Sequence, residues 1–134
     1  MHRKFTIKNI ETILDLTNDA ISVADEKGNT ILVNAAYTKI TGLPKEAVIN
    51  KPVTVDIAEG ESMHIKVLKT GKAVRNVHMK VGPARKEVIV NVEPIYIDGK
   101  LKGSVRGFIA GQRNLSVSYR AYSSSLEVED FLKL

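Results

Sequence analysis

Residues 24–42, ADEKGNTILVNAAYTKITG, constrain the fold of this chain more than any other stretch. Two short runs rich in β-branched residues, Ala20–Val23 and Thr30–Val33, flank a polar segment containing Gly28. That pattern is a β-hairpin closed by a glycine-containing turn. The second strand leads into Asn34, a side chain suited to capping a helix start, and then into the helix-prone run 35–40. Gly42 ends that helix, because glycine takes positive φ at little cost.

The rest of the chain follows the same logic. Asn9 is expected to cap a short amphipathic helix with Ile10, Ile13 and Leu14 on one face. Pro44 starts another short helix, where its missing N–H costs nothing, and Asn50-Lys51-Pro52 breaks it. Residues 61–70 read as a helix closed by Gly71, with Met63, Val67 and Leu68 as its inward stripe. Three strands follow. Val77, Met79 and Val81 alternate with Asn76, His78 and Lys80; Val88, Val90 and Val92 alternate with Glu87, Ile89, Asn91 and Glu93; and Asp98-Gly99 turns the chain into a last strand over 101–108. Each strand shows one apolar and one largely polar face, so the sheet is antiparallel with one side in water. The fold class is α+β: a five-stranded antiparallel sheet with short helices packed on one face.

The Asp25–Gly28 turn, Asn34, Thr41-Gly42, Leu68–Lys72 and Asp98-Gly99 stand in an order that resembles a PAS domain over residues 9–110. The opening Ile13-Leu14-Asp15 through Asn18–Ile21, with the Leu68–Lys72 segment, is most similar to the N-terminal PAS domain of bacterial sigma-N-dependent enhancer-binding activators. Asn50 departs from the glycine usual before Lys51. Residues 1–8 read as an N-terminal extension. Residues 111–134 lack the charged linker helix usual after such a domain and show no heptad seam. They are either an unusual tail or not the natural continuation.

The resemblance implies a sensory or regulatory domain that relays small-molecule binding or dimerisation to an output domain of the same polypeptide, of the AAA+ activator or kinase type. It implies a homodimer, with Ile89, Ile95 and Ile97 as an apolar patch on the outer sheet face. It also implies a ligand pocket walled by Tyr37, Ile40, Met63, Val67, Met79, Val90, Val92 and Val105, suited to a small, mostly apolar molecule. A ligand-free interaction module with a filled core is one alternative, and a haem-based gas or redox sensor is another. The haem alternative rests on His64, which falls in the helix region where such domains place an iron ligand. On an ideal helix His64 sits about 100° from Met63, which favours a surface histidine.

Composition narrows the classes further. No apolar run approaches the roughly 20 residues that span a bilayer, and the basic start, His2-Arg3-Lys4, has no signal-peptide core. A cytoplasmic location is the expectation. With no cysteine there is no disulfide, no thiolate-held metal and no flavin-cysteinyl chemistry. The three histidines are not at metal-ligand spacing. The net charge of +5 comes from dispersed residues: Lys39, Lys45, Lys51, Lys66, Lys69, Lys72, Lys80, Arg85, Lys86, Lys100, Lys102 and Arg106. They alternate with apolar positions as on a solvated face, so no nucleic-acid contact is expected. Asp56, Glu59 and Glu61 form the one acidic cluster, and Gly60 marks it as a solvated loop rather than a paired-carboxylate site. Asn34 reads as a structural cap worth about 1 kcal/mol. No phosphate loop or nucleophilic triad is present, so catalysis is not expected.

Overall fold

The computed structural model describes residues 6–110. The first helix, α1 (Ile7–Leu14), starts from a reciprocal capping box: the Thr6 hydroxyl accepts from the Asn9 backbone, and the Asn9 side chain accepts from the Thr6 backbone. Thr6 is therefore the cap, and Asn9 is its partner at the third helical position rather than the cap itself. The residues expected to form a tail after 110 lie outside the described residues.

Strands β1 (Ala20–Asp25) and β2 (Thr30–Val33) form the expected hairpin, and α2 (Ala35–Thr41) follows with Asn34 as its cap and Gly42 in left-handed conformation at its end. Helix α3 (Lys45–Val48) is one turn long. Asn50 has φ of +65°, so the position suits glycine and is tolerated by asparagine. A 3₁₀ turn (Val53–Asp56) then leads into β3 (Ile57–Glu59). Helix α4 (Met63–Thr70) is capped by Ser62 and closed by Gly71. Strands β4 (Val74–Val81), β5 (Lys86–Ile97) and β6 (Lys100–Ala110) complete the sheet.

Among the described residues the sheet has six strands in the order β2-β1-β6-β5-β4-β3, every neighbouring pair antiparallel. The strand beyond the expected five is β3. Three residues are too few to show an alternation, and this one lies inside the acidic segment that reads as a loop.

The core lies between one face of the sheet and the helices. Val88, Val90 and Val92 of β5 and Met79 and Val81 of β4 meet Tyr37, Val48, Met63 and Val67 there. On the inner face of β1, Ala20, Ser22 and Ala24 are small and buried, which leaves depth for larger side chains from β6. At Gly103 the strands approach so closely that a Cβ would lie 2.3 Å from the Ala24 carbonyl oxygen.

Candidate functional site: a buried polar network

The depth left by β1 is filled by Arg106. Its register partners on β6's neighbours are Ser22 and Val92, both on the inner face. The guanidinium is only 1% exposed, although Arg106 reads from the sequence as part of a solvated face. A charge at that depth needs a partner, and Asp56, 3% exposed, supplies it. Arg106 Nη1 and Nη2 donate to Asp56 Oδ1 and Oδ2 at 3.0 and 2.5 Å, a two-pronged pair. Asp56 is therefore not in a solvated loop: the 3₁₀ turn carries its side chain inward, while its backbone carbonyl accepts from Gly82 N–H.

The network extends from both members. Tyr37 on α2 donates its hydroxyl to Asp56 Oδ2 at 2.6 Å. Burial, and next the Asp56 charge, raise the Tyr37 phenol far above its usual pKa, so it remains a donor. Arg106 Nε donates to Ser22 Oγ at 3.1 Å, and that oxygen lies 2.9 Å from His64 Nε2. His64 Nδ1 meets Ser104 Oγ at 2.5 Å. The Arg106 guanidinium lies 4.8 Å from the Phe108 ring centre, and Tyr37 meets that ring edge-on. No buried side-chain nitrogen or oxygen among the described residues lacks a partner.

His64 is fully buried, not at the solvent boundary. The inward stripe of α4 is Met63, His64 and Val67, with Leu68 only half-buried, because positions 64 and 67 share a face. Burial, and second the nearby Arg106 charge, hold the imidazole well below its ordinary pKa, so the ring is neutral. One nitrogen then donates and the other accepts, each to a serine hydroxyl.

Of the eight expected pocket residues, Tyr37, Met63, Val67, Met79, Val90 and Val92 belong to the packed core, and Ile40 packs against it. Val105 does not. It pairs with Val23 and Glu93 on the opposite face, because the inward positions of β6 are Ser104, Arg106 and Phe108. Ile89, one of the three expected patch residues, is 1% exposed; it sits mid-sheet between His78 and Ile109, while Ile97 is exposed. Sequence reasoning missed Arg106, Ser22, Ser104 and Asp56. The one signal for them was small residues alternating along β1 opposite a strand with an arginine between glycines.

A family model described as the PAS fold matches residues 8–109. The chain belongs to the PAS family. Its sequence is 31% identical over 101 residues to the transcriptional activator RocR of Bacillus subtilis (strain 168), a match covering 71% of this chain and 22% of RocR. The chain thus spans about a fifth of that relative. Among solved structures, the PAS domain of a Colwellia psychrerythraea protein superposes with a TM-score of 0.65 at 20% identity, covering 78% of this chain and 96% of that one. The PAS domain of Bordetella pertussis BvgS does so at 0.59 and 18%, covering 90% and 98%. In this PAS domain the space between sheet and helices holds an internal ion pair with its hydrogen-bond partners.

Proposed function

We propose that this PAS domain is the regulatory module of a bacterial transcription regulator, working in the cytoplasm without catalysing a reaction. It controls an output domain of the same polypeptide by shifting between two packings of its core. The observation that carries this reading is Arg106. It lies on β6, the last described strand in chain order, and is tied to Asp56 beside the edge strand β3 and through Ser22 to His64 on α4. A change at either end therefore reaches β6 through Arg106, and on the α4 side also through the direct contact of His64 with Ser104. The likeness to an activator supports the transcriptional setting.

The test uses the full-length protein. Replacing the pair together (Arg106→Met with Asp56→Leu) removes the link without leaving an orphaned charge. Transcription from the target promoter is expected to change by at least about fivefold. Wild-type output from a folded double variant would overturn the reading.

A second reading, signalling by homodimerisation, is favoured by α1 and the turn after it, which expose Ile10, Ile13 and Leu16. The haem alternative gains no support, since both ring nitrogens of His64 already face serine hydroxyls and a cation lies close by.

A further inference from the structure

We infer that Asp56 is an exchangeable occupant of a carboxylate site on Arg106, and that a small monocarboxylate with a short apolar tail can take its place. The inference rests on the reading that the buried network receives the domain's signal, and it names the ligand class. Three observations carry it.

First, the permanent half of the site comes from firmly held elements. Arg106 and Ser22 lie on adjacent paired strands in the sheet interior, and Tyr37 lies on α2, with its ring against Phe108. Together they present a guanidinium fork and a hydroxyl donor, the donor set that recognises a carboxylate. Second, Asp56 comes from a short element at the edge of the sheet. It ends a 3₁₀ turn and precedes β3, a three-residue edge strand paired on one side only and irregular between Ile57 and Glu59. Such segments open at low cost relative to the global fold. Third, a surface cleft of about 390 Å³ abuts that turn, lined by Leu43, Val55, Ile57 and Pro83 together with Asp56 and Arg85. Its walls are mostly apolar, which sets the tail of the ligand.

Electrostatics makes the exchange one for one. Arg106 cannot remain buried without an anion, so Asp56 leaves only as another carboxylate arrives. Tyr37 then donates to the incoming oxygen. The released Asp56 carboxylate regains water, and the turn and β3 move with it, which is the structural change that such a ligand would cause.

The experiment titrates the 134-residue chain with acetate, propionate and butyrate against chloride at constant ionic strength, following melting temperature and backbone amide NMR signals. Asp56→Ala is expected to gain on the order of 5 °C in Tm from saturating propionate. Chloride should give no gain, and neither should propionate on Asp56→Ala with Arg106→Met. If Asp56→Ala does not fold alone, recovery of its folded spectrum by propionate is the same positive result, and Asp56→Asn supplies a folded background. In the wild type, propionate or butyrate should shift the signals of residues 53–59 and of Arg106 saturably. Folded Asp56→Ala or Asp56→Asn that ignores all three carboxylates would overturn the inference. A wild type that ignores them while the variant binds would also do so, since Asp56 would then be a fixed partner. Binding in the wild type with unchanged transcription by the full-length protein would uphold the site and count against the regulatory reading.

Discussion

Arg106 and Asp56 dominate the residue-scale energetics of this domain, though not as a source of net stability. Taking both charges out of water costs nearly as much as their attraction returns, so a well-packed apolar pair would serve equally well. Removing one partner is different, because the other is left charged at depth. Arg106→Met or Asp56→Ala alone is expected to cost about 3–5 kcal/mol by urea denaturation. The pair replaced together should lose far less than the sum. Additive losses would show that the two groups do not act as a unit. His64 gives a second prediction with a definite sign. Its folded pKa lies below the unfolded value of about 6.5, so the unfolded chain takes up a proton that the folded chain refuses. This contribution is fully present above that pH and is lost as pH falls below it, at up to ~1.4 kcal/mol per pH unit. Urea denaturation between about pH 7.5 and 5.5 should show the loss in the wild type and a flatter profile in His64→Asn, with ordinary carboxylates contributing alike to both. Equal slopes in the two proteins would mean that His64 is not protected.

At the scale of elements, Asn34 does more than cap α2. Its Oδ1 accepts from the backbone of Tyr37 at 3.1 Å and of Ile21 at 2.9 Å, and its Nδ2 donates to the carbonyls of Leu14 and Asp19, both at 2.9 Å. One side chain thus joins α1, β1 and α2, and Asn34→Ala should cost about 3 kcal/mol rather than the 1 kcal/mol of a simple cap. Asn34→Asp should be no rescue, because a carboxylate cannot donate to the two carbonyls. A loss of only about 1 kcal/mol, measured by chemical denaturation, would reduce Asn34 to its capping role. These elements were legible in the sequence because their causes are local. The glycine turn, the asparagine cap and the glycine helix ends act within a few residues of one another. The inner face of β6 was not legible, because its causes are remote. Arg106 meets Ser22 across 84 positions and Asp56 across 50. Polarity alone assigns Val105 inward and Arg106 outward, the reverse of what is found. His64 was misplaced for the same reason: a polar residue at a core position reads as surface until its partners are known. β3 escaped because a strand of three residues carries no period.

For the whole molecule, the core cluster lies on one face of the sheet, and among the described residues α1 contributes no side chain to it. It is nonetheless fixed. Asp15 Oδ1 accepts from the Ala35 backbone at 2.7 Å, and Glu11 pairs with Lys45 at 2.7 Å, so both α2 and the start of α3 hold it. Ile13 and Leu16 are 54% and 87% exposed on that tethered segment, and their exposure is not the fraying of a loose end. Apolar side chains presented by a held helix and the turn that follows it are suited to burial against a second copy, the arrangement that a two-packing relay needs if its output is paired. Sedimentation equilibrium across a concentration series should give a mass approaching twice 14.8 kDa for the wild type and near 14.8 kDa for Ile13→Glu with Leu16→Glu. Neither side chain packs in the core, so the variant's unfolding midpoint at low concentration should stay within about 0.5 kcal/mol of wild type. A dimer that survives both substitutions would place the contact elsewhere on the molecule. A wild type that stays monomeric at high concentration would leave regulation to the buried network alone, with Arg106 and the His64–Ser104 contact joining the helices to β6.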